Sequence, residues 1–207
     1  MYDFQLGSPQ QIAKDEIQFL VAVKRMLPRW LNSIPDSEFV ALCELADAAG
    51  SRRGKENSVF VETGVGASTL ALVWFAAKYG LRLYTWELSD SKSSAIRQVL
   101  DEALSFKIGR VSDTWQAVPW SSTSKELGIP VLSEVGATCL LSFHDSDHTW
   151  KNLKSEIESV VPLLAEQAVV AVDDANLSWA EVNVGLVNTF RRKLAWPHLD
   201  PTFMPDA

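Results

Sequence analysis

Two sets of side chains could do chemistry. The first is Glu62-Thr63-Gly64-Val65-Gly66-Ala67-Ser68, which joins a short apolar run, Val59-Phe60-Val61, to a helical pattern. Gly64 can take a positive φ that other residues resist. Gly66 lacks a Cβ, so main chain there can approach a ligand closely, and the amides opening the next helix favour an anionic or polar group. Glu87 lies 21 residues after Gly66, where a carboxylate can accept two hydrogen bonds from a ribose diol. The second set is His144-Asp145-Ser146-Asp147-His148 with Asp173-Asp174. Carboxylates gathered there repel one another unless a cation or protons intervene, and hard oxygen ligands of this kind suit Mg²⁺ or Ca²⁺.

Each set also has a bland explanation. A Gly-x-Gly is often only a tight strand–helix turn, and the third glycine of a dinucleotide fingerprint would fall at Thr69, which speaks against a nicotinamide dehydrogenase. A leading acid such as Glu62 is out of place beside a pyrophosphate and suits a ligand whose tail carries an ammonium group. In the second set His148 can act as a base near neutral pH, with Asp147 as its rival. Equally, Asp147 or His148 could cap the helix that starts near Thr149, with the paired aspartates merely ending a strand. His144 should point to the opposite side of its strand from Asp145 and is structural.

The elements needed to position these residues are legible in outline. Apolar spacing predicts a helix over 10–27 and a second after Pro35-Asp36-Ser37, capped by Asp36 or Ser37 and ended by Gly50. Short apolar runs predict strands at 59–61, 81–86, 106–111, 137–143 and 168–172, ending near Glu62, Glu87, Asp113, Asp145 and Asp173. Helices are expected over 67–78, after Ser89 or Asp90, over 149–166 with Ile157, Val160, Val161 and Leu164 inward, and over 179–194. Residues 114–135 have no clear pattern. Strands apolar throughout and alternating with helices are buried and parallel. The expected architecture is therefore a doubly wound, mostly parallel, Rossmann-like α/β sheet with helices on both faces and ligands at the strands' carboxyl ends. Residues 1–50 form an N-terminal helical segment on the substrate side and residues 51–207 the cofactor-binding domain. The prolines of 194–207 suit a closing hairpin poorly, so the expectation is a sheet shortened at its last two strands, one completed by another subunit, or a truncated chain.

Composition narrows the class. Nineteen Lys and Arg against 26 Asp and Glu give a net charge of −7, which argues against binding a nucleic-acid backbone. No apolar run approaches the ~20 residues of a membrane span, and no secretory signal is visible at the start. Cys43 and Cys139 form no Cys-x-x-Cys pair and read as buried thiols of a cytoplasmic protein. The 8 tryptophans are mostly core, although Trp115 could cover an adenine and Trp150 and Trp179 could wall an acceptor pocket.

Taken together, Glu62 to Ser68, Glu87, Asp113, His144 to His148 and Val172-Asp173-Asp174 resemble the class I S-adenosylmethionine-dependent methyltransferases. The closer likeness is to small-molecule and sugar O-methyltransferases with an Asp-Gly-Asp-His-type turn after strand four and paired acids after strand five. The resemblance implies that Glu62 and Gly64, within the turn that includes Thr63, Gly66 and Ser68, contact the methionine part of S-adenosyl-L-methionine. It implies that Glu87 holds the ribose and that Asp113 sits near the adenine amino group. It further implies Mg²⁺ on Asp145, Asp173 and Asp174, and a hydroxylated small-molecule acceptor whose proton passes to His148, Asp147 or Asp145. A homo-oligomer, and a methyltransferase-like module without catalysis, are the other outcomes the sequence allows. Ala67, Ser146 in place of a glycine, and Ala165-Glu166-Gln167-Ala168 in place of Pro-Gly-Gly depart from the family pattern.

Overall fold

Apolar strands with no polar face must be covered on both sides, and the computed structural model, which describes residues 15–52, 57–119, 132, 136–146 and 149–173, shows how this is done. The strands are β1 (Ser58–Thr63), β2 (Arg82–Glu87), β3 (Trp115–Pro119), β4 (Thr138–His144) and β5 (Leu164–Val172). Every pairing is parallel, in the order β3-β2-β1-β4-β5. The strand order reverses between β1 and β4, which opens a crevice at their carboxyl ends.

Two apolar clusters cover the two faces. Phe60, Leu83, Leu141 and Phe143 belong to one, and Val59, Val61, Tyr84, Trp86 and Cys139 to the other. Cys139 and Leu141 are two residues apart yet fall in opposite clusters, because the β1–β4 register slips at Leu140. A one-residue slip turns every later side chain to the other face.

Three helices build the larger side: α1 (Glu16–Met26), α2 (Asp36–Ser51) and α3 (Ala67–Lys78). α3 is buried from Ala67 through Ala76. It packs on β1 and β2 beside α2, which reaches β4 and β5, and Leu20, Phe39, Leu42, Leu72 and Phe75 share one cluster. The described part of the N-terminal segment is thus packed into the same core as the sheet.

Several expectations are corrected. Asp36 does not cap α2, which starts behind Pro35 with no side-chain cap. Its carboxylate instead accepts from buried Lys24 (2.8 Å) and from Arg25 (2.8 Å), and these partners hold it below the usual carboxylate range. The stretch 106–111 is not a strand. The chain runs from α4 (Asp90–Val99) through a π-helical turn at Leu100–Leu104 into the short helices α5 (Ser105–Ile108) and α6 (Val111–Thr114). Buried Leu104, Ile108 and Val111 keep helical spacing. A short apolar run does not distinguish helix from strand, and β3 starts only at Trp115. The helix expected over 149–166 is α7 (Trp150–Val160), closed by a 3₁₀ turn at Val161–Leu163. Its inward face carries Glu156 and Val160, with Ile157 half-buried and Val161 exposed. Residues 165–168 fall within β5, but Cys139 pairs with Leu164 while Leu141 pairs with Val169, so this segment is where the ladder slips. The expected helix over 179–194 and the tail behind it lie outside the described residues. Among the described residues no helix is long and apolar enough to cross a membrane.

Gly50 does not end α2; it lies one residue inside its last turn. A Cβ built there would lie 2.3 Å from the Tyr79 ring, whose hydroxyl donates to Asp47 at 2.6 Å. With the ring pinned at both ends, Gly50→Ala should destabilise the fold by about 1–3 kcal/mol, the usual range for overpacking. Urea denaturation of the two proteins measures this directly.

Candidate functional site

The glycine turn is built from its buried acid outward. Glu62, the penultimate residue of β1, is fully buried. Ser68 Oγ (2.7 Å), Thr69 Oγ1 (2.9 Å) and Thr85 Oγ1 (2.7 Å) donate to its carboxylate. Two of these hydroxyls are themselves committed. Trp115 Nε1 donates to Thr85 Oγ1 at 2.9 Å, and Gly66 N–H donates to Thr69 Oγ1 at 3.1 Å. Glu62 therefore ties the start of α3 to the end of β1 and to β2. Burial pushes its carboxyl up to about 8, against the three hydroxyls that favour the charged form and with a small upward push from Asp145. The structure places Glu62 and Ser68 behind the turn as its supports, not on its surface.

Gly64 and Gly66 are the half-exposed members of this turn. Gly64 has φ 86°, and a Cβ there would lie 1.9 Å from the carbonyl oxygen of Asp145. That distance leaves room for glycine alone. Gly66 has an extended backbone, and its Cβ position meets only the carbonyl of Leu31 at 3.5 Å. The segment between α1 and α2 thus passes over the turn. Next to Leu31, Asn32 Oδ1 is buried with no hydrogen-bond partner among the described residues.

Glu87 ends β2 and is 9 % exposed. Its Oε2 accepts from Val65 N–H at 2.8 Å and its Oε1 from Ser89 N–H at 2.7 Å. An ionised carboxylate has about four acceptor positions, so main-chain amides fix its orientation and leave capacity for two further donors. Glu87 and the glycine turn are held together by the Val65 bond itself.

Asp113 is not part of this edge. It sits exposed in α6, ahead of β3, whose Trp115 pairs with Leu83 near the start of β2. The shift of the third strand moves Asp113 to the amino end of the sheet. Trp115 is 1 % exposed and belongs to the core, so it covers no adenine.

The second set centres on a residue the sequence did not single out. Glu156, in the middle of α7, is 1 % exposed and collects four donors. Thr63 Oγ1 (2.7 Å) and His144 Nδ1 (3.0 Å) meet Oε2, while Ser146 Oγ and Asn152 Nδ2 meet Oε1. His144 Nε2 lies 2.7 Å from Ser142 Oγ. A proton on Nδ1 makes the ring a donor to Glu156, and Nε2 meets the Ser142 hydroxyl. Burial would raise the Glu156 carboxyl, but the bonds from His144, Ser146 and Thr63 outweigh it and hold the group below its usual value. His144 is structural, as expected, and Ser146 accommodates its Cβ without a positive φ.

Asp145 and Asp173 follow the ends of neighbouring strands. Asp145 N–H donates to Thr63 O (3.0 Å) and Asp173 N–H to His144 O (2.9 Å), extending both ladders by one residue. Asp147, His148, Asp174 and Trp179 lie outside the described residues, as does the side chain of Trp150. The helix α7 is capped by Thr149, whose hydroxyl accepts from Asn152 N–H at 3.3 Å. Among the described residues no group of three His, Cys, Asp or Glu side chains is placed to hold a metal ion. The expected Mg²⁺ site finds no support there.

Two outcomes test the turn. For Ala at Gly64 the left-handed backbone alone costs roughly 1–3 kcal/mol, and the contact with Asp145 adds to it. Gly64→Ala should therefore melt well below the parent in thermal denaturation, while Gly66→Ala should melt with it. The raised Glu62 carboxyl means the folded state holds a proton that the unfolded chain releases near pH 4.5. That contribution to stability is fully present at low pH and fades as pH rises towards about 8. Comparing chemical denaturation of the parent and Glu62→Gln between pH 5 and 8.5 should show this slope in the parent only.

Comparison with known proteins supplies the remaining observation. Residues 61–175 match the family model described as a methyltransferase domain. No match was found among curated proteins. The chain is similar to CalS11, described as a TDP-rhamnose 3'-O-methyltransferase of calicheamicin biosynthesis, at 18% identity and TM-score 0.56, over 98% of this chain and 94% of that one. It is similar to an O-methyltransferase from Bacillus cereus in complex with SAH, at 15% identity and TM-score 0.54, over 94% and 83%. A third similar structure is the SAH-bound methyltransferase PaMTH1 of Podospora anserina, at 14% identity and TM-score 0.51, over 89% and 76%. At these identities the likeness is one of fold.

Proposed function

This chain belongs to the methyltransferase-domain family, and we propose that it moves a methyl group from S-adenosyl-L-methionine to a hydroxyl of a small molecule. The observation that carries this reading is the bond between Val65 N–H and Glu87, which sets a diol-accepting carboxylate beside a turn only glycine can form. The residues suit the cofactor. Glu87 has acceptor capacity for the two ribose hydroxyls, and Gly66 leaves main chain bare at the start of α3. The buried oxygen of Asn32 is an acceptor suited to an ammonium group. When bound, S-adenosylmethionine supplies an electrophilic methyl on its sulfonium.

The chain's own work is then positioning and proton transfer. Holding the acceptor oxygen in line with the methyl is worth several kcal/mol by itself. Asp145, which follows β4 at the crevice between β1 and β4, is the acid assigned in this reading to accept the hydroxyl proton. Asp147 and His148 follow it closely in the sequence and are the other candidates for that step. That CalS11 is a TDP-rhamnose 3'-O-methyltransferase and the Bacillus cereus enzyme an O-methyltransferase supports a hydroxyl acceptor.

Isothermal titration with S-adenosylhomocysteine tests the cofactor half. Removing a charged acceptor of two hydroxyls costs about 1.5–3 kcal/mol, so Glu87→Ala should weaken binding by roughly 10- to 100-fold. Asp113→Ala, at the other end of the sheet, should bind as the parent does. Transfer of label from tritiated S-adenosylmethionine to a panel of nucleotide-linked deoxysugars and catechols tests the acceptor half. Failure of the parent to bind S-adenosylhomocysteine at millimolar concentration would remove the proposal.

A further inference from the structure

The inward side of α7 carries a carboxylate where amphipathic spacing calls for an aliphatic residue. Among its described side chains Glu156 and Val160 are buried, while Ile157 is only half-buried. Burying a charge is unfavourable even with good partners, and an apolar replacement often leaves a fold as stable or more so. Such a group is explained better by what it fixes than by stability.

Its four donors show what that is. Thr63 is the last residue of β1 and His144 the last of β4, the two strands flanking the crevice. Ser146 belongs to the turn that leaves β4, and Asn152 to the first turns of α7, where it also donates to Ser146 Oγ at 3.0 Å. Asp145 sits between two of these anchors. Its N–H is bound to Thr63 O, and its carbonyl lies against Gly64.

From this geometry we infer that Glu156 is a positioning residue for methyl transfer, using the Ser146 hydroxyl as the handle by which it sets the turn bearing Asp145. The inference rests on the proposed transfer reaction but does not follow from it. Glu156 lies behind the strand ends and touches no substrate. Thr63 and Ser146 are thereby assigned to the support of the turn.

The test uses the full chain with Ser146→Ala, Ser146→Thr and Glu156→Gln, and three readouts. Hydrogen–deuterium exchange should quicken in the peptide covering 144–152 for Ser146→Ala and Glu156→Gln while the α3 peptide is unchanged. S-adenosylhomocysteine should bind Ser146→Ala and Ser146→Thr within about threefold of the parent, because the Ser146 hydroxyl bonds to Glu156 and Asn152 and not to Glu87 or the glycine turn. With an acceptor from the labelled panel, kcat should fall about tenfold or more in Ser146→Ala and Glu156→Gln at nearly constant KM, since small misplacements are that costly. Ser146→Thr, which keeps the hydroxyl, should retain most of it. Unchanged exchange at 144–152, or parental kcat in Ser146→Ala and Glu156→Gln, overturns the inference. A parent that binds S-adenosylhomocysteine but labels no acceptor counts against the proposed reaction instead, and the exchange measurement then decides the role of Glu156.

Discussion

The carbonyl oxygen of Asp145 occupies the space that a side chain on Gly64 would need. This contact joins the two strand ends at which the sheet changes direction. β1 must end in a left-handed residue so that the chain can turn into α3, and β4 must end close against it so that its own turn reaches the same crevice. Glycine meets both demands because it has no Cβ and no penalty at positive φ. The ladder bond from Asp145 N–H to Thr63 O keeps the two ends in register. What stands on this edge, from Glu87 on one side to Asp173 on the other, takes its position from that junction.

Two buried glutamates flank the junction, and their environments push them in opposite directions. Glu62 is surrounded by three neutral hydroxyls, which do not offset complete burial, and its carboxyl rises to about 8. Glu156 has a histidine ring nitrogen and an amide as well as hydroxyls, and is held below its usual value. Near neutral pH the first is largely protonated and the second is charged. The difference follows from partner chemistry, since hydrogen bonds to a carboxylate and burial act against each other. One acid braces the glycine turn at little electrostatic cost. The other brings a full negative charge to the back of the turn that carries Asp145.

The sequence made the sheet legible where the pattern was local. The apolar runs at β1, β2 and β4, the helix at α3 and the Ser89 cap were each set by residues within a few positions of one another, and the structure keeps them. The glycine turn and Glu87 were legible because Gly64 and a carboxylate at a strand end have few other uses. The third strand was missed because Leu104, Ile108 and Val111 satisfy a helix while reading as a short apolar run, and with it went the placement of Asp113. Gly50 looked like a helix stop because the ring of Tyr79, which actually demands it, comes from 29 residues further on. Glu156 was invisible for the same reason. Its partners Thr63, His144 and Ser146 are distant in sequence, and a glutamate within a helix usually means a solvated face. The one local hint was its place among Leu153, Ile157 and Val160, on the inner side of the helix.

A cavity of about 270 Å³ lies near the amino ends of β1 and β4, beside Ala49, Arg52 and the slipped ladder of β5. Its charged lining residues, Arg52 and Glu166, are exposed to water, where charges interact weakly and select little. The carboxyl edge shows the reverse. There Glu62, Glu87 and Glu156 are buried and oriented by named donors, so each is fixed before any ligand arrives. Binding and transfer both gain from groups that need no reordering at the moment of use. The carboxyl edge, where polar groups are buried and aimed, is the edge suited to the proposed chemistry.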